Sequence, residues 1–181
     1  CMMTRYGMLI DTTKCVGCYA CRTACQRQNN LEPDEDFIRY ERAETGTYPN
    51  VRVETVPLQC MHCEDAPCAS VCPTGAAHVG ADGIVSVDQG RCIGCLYCMS
   101  ACPYQVRVRN SKTGAVDKCR FCAVQTEKGG ATCTCVDACP THARIFGDLD
   151  DPDSELARAI VDKGAKPIAG DLTRAKVYYV R

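Results

Sequence analysis

The chain predicts an α+β fold of short hairpins and short helices whose interior is metal rather than oil. Three observations predict it. Eighteen of its 181 residues are cysteine. Those cysteines recur at short, regular intervals in four places along the chain. Leu, Ile, Val and Phe together number only 33, about 18%, and there is no Trp, which is thin for a hydrophobic core. So low an apolar content signals disorder when the net charge is high, but here the formal net charge is −1. Metal–ligand bonds can supply the missing folding free energy, so the metal-free chain is expected not to fold.

The clearest of the four motifs, the third, is Cys92-Ile-Gly-Cys95-Leu-Tyr-Cys98-Met-Ser-Ala-Cys102-Pro103. Cysteines at steps of three, three and four residues, closed by proline, match the bacterial ferredoxin run that wraps a cubane iron–sulfur cluster. Three thiolates sit on one tight loop around one cluster. The fourth, on the short helix that follows, points at a neighbouring cluster. Proline then ends that helix, because it neither donates a backbone hydrogen bond nor continues the turn.

Taken in order, the chain opens with Cys1, which lies outside every motif and reads as a plain terminal residue, with a lipid-modified cysteine as the alternative. A strand near Tyr6–Asp11 leads into motif one, Cys15-Val-Gly-Cys18-Tyr-Ala-Cys21-Arg-Thr-Ala-Cys25, a near copy of motif three. Residues 26–59 form the longest connection, polar and charged from Gln26 to Glu44. It passes through Gly46-Thr-Tyr-Pro-Asn50 into Val51-Arg-Val53-Glu-Thr-Val56, an alternation that reads as a strand with one apolar face. An insertion this long needs a surface to lie on, and a partner subunit is the expectation. Asp34, Glu35 and Asp36 within it read as a solvated charge run.

Motif two, Cys60-x2-Cys63-x4-Cys68-x3-Cys72-Pro73, widens the middle gap. Between it and motif three lies a hairpin: a strand at Ala77–Val79, an Asp82-Gly83 turn and a strand at Ile84–Val87. After motif three, Gln105–Asn110 and Ala115–Asp117 flank Ser111-Lys-Thr-Gly114 as a second hairpin. Motif four is Cys119-x2-Cys122, then Cys135-x3-Cys139-Pro140, with a spare Cys133 in the twelve-residue gap. The x3-Cys-Pro ending shared with motifs two and three selects Cys135. A strand near Ala143–Phe146 follows, then an acidic approach to a helix over Glu155–Lys163, with Leu156 and Ile160 four apart and Gly164 at its end. The tail from Ala165 finishes in Lys176-Val-Tyr-Tyr-Val-Arg181, an extended segment that docks on this chain or on a partner.

The hairpin between motifs two and three is how a two-cluster ferredoxin joins its motifs, so these two form one unit, 60–102. Motifs one and four, 15–25 and 119–139, must then come together as a second unit, closed by the strands at Tyr6–Asp11 and Ala143–Phe146. The expectation is one domain over 1–181: two interleaved ferredoxin-like units, the insertion 26–59, and a C-terminal helix and tail, 148–181. With the fourth cysteine crossing over in each pair, the four [4Fe–4S] sites are Cys15/Cys18/Cys21/Cys139, Cys119/Cys122/Cys135/Cys25, Cys60/Cys63/Cys68/Cys102 and Cys92/Cys95/Cys98/Cys72. Lys14, Arg91 and Lys118, each directly before a motif, read either as solvated surface charges or as residues suited to loops that fold around anionic clusters.

Other classes fit less well. Disulfide scaffolds need long-range bridges rather than cysteines three apart, and no apolar run before Asp11 is long enough for a secretory signal. Zinc ribbons use Cys-x2-Cys pairs but do not need the third and fourth cysteines of each motif. No stretch approaches 18 consecutive apolar residues, and no basic patch interleaves with aromatics, so neither a membrane span nor a nucleic-acid surface is expected. His62, inside motif two, reads as a plain loop residue, with a hydrogen bond that tunes a nearby cluster as the alternative. His78 and His142 have no acid or nucleophile partner, and nothing in the chain forms a catalytic constellation.

These motifs resemble the four-cluster iron–sulfur subunits of the molybdopterin oxidoreductases of the dimethyl-sulfoxide-reductase superfamily, closest to those of polysulfide and thiosulfate reductases. The resemblance includes Ile10-Asp-x3-Cys-Val-Gly-Cys18, Gly46-Thr-Tyr-Pro-Asn50, Cys60-x-His-Cys-Glu-Asp-Ala-Pro-Cys68, Cys72-Pro-Thr-Gly-Ala76, Lys118-Cys-x-Phe-Cys122 and Phe146-Gly-Asp-Leu-Asp-Asp-Pro152. It implies a non-catalytic subunit in an anaerobic respiratory complex. Single electrons would pass between a molybdopterin catalytic subunit and a quinone-linked membrane subunit or a soluble donor. It also implies that the Cys15/Cys18/Cys21/Cys139 cluster faces the catalytic subunit and that the motif two and three pair lies at the far end. The chain would be membrane-associated through partners, on the extracytoplasmic face by co-export or in the cytoplasm. A free-standing polyferredoxin, or a subunit of a hydrogenase or formate dehydrogenase, is the alternative.

Overall fold

The computed structural model describes residues 4–122 and 132–181, which leaves Cys1 and most of the gap before Cys133 outside the described residues. The fold is α+β, built of short elements. The one extended sheet has four strands: β1 (Tyr6–Asp11), β8 (Arg144–Asp148), β9 (Lys166–Pro167) and β10 (Val177–Val180), in the order β8-β1-β10-β9. β8 runs antiparallel to β1, with Met8 opposite Phe146 and Ile10 opposite Arg144. β10 lies parallel on its other side, with Met8 opposite Val177. The strand that precedes motif one is thereby joined to the strand that follows motif four, as the sequence predicts. The tail docks on this chain.

β1 is buried on both faces because its side chains alternate between two cores. Met8 and Ile10 join the large core that contains the cysteines, whereas Leu9 joins Leu156 and Ala165. Leu156 belongs to α5 (Glu155–Asp162), the helix expected at Glu155–Lys163, which packs on β1 and β8. The Ser154 hydroxyl caps it by accepting from the Ala157 amide at 3.0 Å, and Gly164 leaves it at φ 58°.

Both predicted hairpins form: β4 (Ala77–Val79) with β5 (Val85–Val87), and β6 (Val108–Arg109) with β7 (Val116–Asp117). The insertion holds a third that its polar first half concealed. β2 (Arg39–Thr45) pairs with β3 (Arg52–Leu58) over seven residues. Only the inner half of this hairpin has an apolar face: Val56 and Leu58 are buried, while Val51 and Val53 at the outer end are exposed. Nor is the acidic run simply solvated. Glu35 is buried and accepts from the Ser111 amide at 2.6 Å, tying the insertion to the hairpin after motif three.

Proline sets the lengths of the remaining helices. α2 (Pro67–Ser70), α3 (Tyr97–Ser100) and α4 (Thr134–Asp137) each stop after four residues, shortly before Pro73, Pro103 and Pro140. Motif one has Gln26 where the others have proline, and α1 (Ala20–Gln28) runs to nine. α1 packs on α4, and α2 packs on α3. No helix among the described residues is long and apolar enough to cross a membrane.

Candidate functional site

Two backbone features recur in all four motifs. The residue two after the first cysteine is left-handed: Gly17 (φ 65°), His62 (φ 43°), Gly94 (φ 67°) and Phe121 (φ 47°). That kink turns a Cys-x2-Cys segment back on itself. The third cysteine is then the second residue of a helix: Cys21 of α1, Cys68 of α2, Cys98 of α3 and Cys135 of α4. Cys133, as the residue capping α4, does not have that position.

These loops and helices enclose four cavities of nearly equal empty space, counted to their mouths: 320, 320, 340 and 320 Å³. Cys15, Cys18, Cys21 and Cys139 line one, and Cys25, Cys119, Cys122 and Cys135 line a second together with Cys133. Cys60, Cys63, Cys68 and Cys102 line the third; Cys72, Cys92, Cys95 and Cys98 line the fourth. Each cavity therefore takes three cysteines from one motif and the fourth from its pair. All sixteen cysteines singled out from the sequence line these four cavities.

Four sulfurs on one zinc ion would lie about 3.8 Å apart, given Zn–S bonds of about 2.3 Å. Among the described residues, no group of three or more His, Cys, Asp or Glu is placed to hold a single metal ion. No disulfide joins any of the seventeen described cysteines. Burial pushes Cys25 up to about 12 and Cys63 up to about 11, so a bound metal must draw those protons off.

Short polar contacts converge on the sulfurs. The Ala77 and Ala143 amides each donate to the fourth cysteine of the preceding motif, Cys72 and Cys139, at 3.3 Å. The hydroxyls of Thr74 and Thr141, from the repeated Cys-Pro-Thr, approach the same sulfurs at 3.7 and 3.6 Å. Amides of Val116 and Thr134 reach Cys92 and Cys122, and the Tyr40 hydroxyl lies 2.8 Å from Cys21 Sγ. The insertion thus roofs two cavities, with Tyr40 and Pro57 over one and Phe37 and Ile38 over the other. The tail straps motif two, its Thr173 and Arg174 carbonyls accepting from Asp65 and Glu64.

Charge completes the match to an anionic occupant. Arg107, Lys118, Arg144 and Lys176 are buried, and none has a carboxylate partner among the described residues. Of the three basic residues that precede motifs, only Lys118 is buried; Lys14 and Arg91 are exposed. His62 is fully buried, and neither ring nitrogen meets a hydrogen-bond partner in good geometry among the described residues. It stacks on Phe121, its counterpart in motif four, at 3.7 Å between ring centroids. Thiol quartets, buried cations and inward-facing donors fit iron–sulfur clusters, each of which carries net negative charge.

Two 4Fe-4S dicluster domain models match the sequence, over residues 14–76 and 51–149. Thiosulfate reductase electron transfer subunit PhsB of Salmonella typhi is 45% identical over 166 residues, covering 90% of this chain and 84% of its own. The chain belongs to the four-cluster iron–sulfur electron-transfer subunits of the molybdopterin oxidoreductases. Protein NrfC of Escherichia coli K12 is 43% identical over 161 residues, 88% of this chain and 72% of that one. The arsenate respiratory reductase iron-sulfur subunit ArrB of Shewanella sp. ANA-3 is 35% identical and covers 98% of this chain and 96% of its own. Membership in this family carries four [4Fe–4S] clusters as cofactors. The Cys-Pro-Thr repeat was a visible signal for the threonine contacts. The roles of Tyr40 and Arg107 had no comparable signal in a single motif, since each reaches its sulfur from another part of the chain, whereas Arg144 lies nine residues after Cys135 and is picked out only by the offset it shares with Arg107.

Proposed function

We propose that the chain relays single electrons between a molybdopterin catalytic subunit and a quinone-linked membrane subunit or soluble donor in an anaerobic respiratory reductase. Its cluster ligands are then Cys15/Cys18/Cys21/Cys139, Cys119/Cys122/Cys135/Cys25, Cys60/Cys63/Cys68/Cys102 and Cys92/Cys95/Cys98/Cys72, within two interleaved ferredoxin-like units. The crossed quartets lining four cavities of nearly equal size carry this reading. The printed names of the thiosulfate and arsenate reductase subunits support the reductase assignment. When bound, the clusters supply one-electron redox centres whose potentials depend on charge, hydrogen bonding and burial. The protein's own residues hold them. Amides of Ala77, Ala143, Val116 and Thr134 donate to ligand sulfur, Phe37, Ile38 and Pro57 keep water away, and buried cations balance charge.

Cys18 and Cys95 are the only exposed cysteines among those described, and they belong to the first and fourth quartets. We take those two clusters as the ends of the relay, with the Cys18 end toward the catalytic subunit. The complex then sits at a membrane through its partners, on the extracytoplasmic face by co-export or in the cytoplasm. Anaerobic purification from the native host, with metal counts on whatever co-purifies, tests the proposal. About sixteen irons per chain, with molybdenum in the partner, is the expected result. Near-stoichiometric zinc with little iron overturns the cluster assignment, and a stable monomer with full iron and no partner overturns the relay.

A further inference from the structure

The four buried cations without carboxylates divide into two kinds. The lysines are held by carbonyl oxygens: Lys118 by those of Val85 and Cys119, Lys176 by that of Gly83. The arginines instead reach toward sulfur, and they correspond to one another. Each stands five residues after the fourth cysteine of its motif, Arg107 after Cys102 and Arg144 after Cys139. Motifs one and two have Asn30 and Ala77 at that offset, so each pair of motifs holds one guanidinium. Arg107 donates through Nη2 to Cys68 Sγ at 2.7 Å. Arg144 donates through Nη1 to Gln59 Oε1 at 2.6 Å and points the same nitrogen at Cys135 Sγ, 3.9 Å away. Each keeps one buried nitrogen with no partner among the described residues, Nη1 of Arg107 and Nη2 of Arg144.

Each arginine also spans the two cavities of its pair. Arg107 lines the Cys60/Cys63/Cys68/Cys102 cavity and is close enough to act electrostatically on Cys98 of the adjoining one. Arg144 lines the Cys15/Cys18/Cys21/Cys139 cavity and reaches Cys135 of its neighbour. A guanidinium cannot shed its proton in a protein, and a buried charge left unpaired is strongly destabilising. An anion on both sides removes that penalty.

We propose that Arg107 and Arg144 are potential-setting residues, each placing one positive charge between the two clusters of a pair and raising both reduction potentials together. This rests on the cluster assignment above. Adding an electron makes a cluster more negative, and a nearby positive charge at low dielectric favours that reduced form.

Redox titration of the iron-loaded protein, followed by electron paramagnetic resonance with iron counted on the same samples, tests it. Arg107→Gln should keep about sixteen irons and shift two of the four midpoint potentials downward while leaving the other two in place. Arg144→Gln should shift the complementary two. Lys at either position should keep the potentials near those of the parent. A full iron count with no potential moved, or with all four moved alike by either variant, overturns the proposal and leaves the cluster assignment standing. Should the Gln variants lose iron, the Lys variants decide. Full loading with parental potentials supports the proposal; lowered potentials, or a failure to load, mean that guanidinium shape matters rather than charge, and overturn it. Little iron in the unaltered chain sinks the cluster assignment itself.

Discussion

Cys133 and Cys135 stand two residues apart in one cavity, and only helix position separates their roles. Cys135 occupies the second helical position that Cys21, Cys68 and Cys98 share, whereas Cys133 caps the helix. Cys133→Ala should therefore retain about sixteen irons per chain, while Cys135→Ser should fall to about twelve, as iron assay will show. A second residue-scale expectation concerns Asp11. Burial pushes its carboxyl up, but the Lys163 ammonium and the Thr13 hydroxyl and amide outweigh burial and hold it below its usual range. A depressed folded value stabilises the fold above the unfolded value, about 3.9, and that contribution fades as the pH falls through the folded one. Asp11→Asn should lower the melting temperature equally at pH 7 and pH 5. In rapid acid unfolding the gap should close below about pH 4. Asp11 looked like an ordinary strand end in the sequence, because its partner Lys163 lies 152 residues away.

Among the elements, the cluster loops show the clearest link from residue type to geometry. Gly94 holds φ 67°, and a Cβ there would come 2.9 Å from the Gly114 carbonyl oxygen. Gly94→Ala should cost about 1–2 kcal/mol from the left-handed backbone with the clash added, measured as a lower melting temperature of the iron-loaded protein. His62 and Phe121 occupy the same loop position without glycine, at positive φ, and their rings stack against each other. α5 is a different case, an amphipathic helix whose fully buried Leu156 closes the sheet's outer face. Leu156→Ala should cost about 2–5 kcal/mol, with the iron content unchanged because α5 lines none of the four cysteine cavities. Its cap, register and end were all legible, since capping and four-residue periodicity are local. The β2 strand was not, because a polar edge strand shows no periodicity until its partner is known.

The whole molecule is held from the inside by what its cysteines bind. Its main core mixes Met8, Ile10, Phe37, Leu58 and Phe121 with nine buried cysteines, and the family's four clusters would be held by the thiols that line the four cavities. Removing iron with a chelator under anaerobic conditions should abolish both the visible absorbance and the near-ultraviolet circular dichroism, while a disulfide-held fold would keep the latter. Cysteine spacing, the prolines after three motifs and the Asp82-Gly83 turn sufficed to define the motifs and the hairpin between the second and third, because a cluster loop is a short-range object whose geometry is carried by neighbouring residues. The roof of Phe37, Ile38 and Tyr40, the strap of Thr173 and Arg174, and the buried Arg107 and Arg144 emerged only from the assembled fold. Those contacts join residues far apart in the chain, and the free energy that selects them exists only once burial has removed the alternative of water.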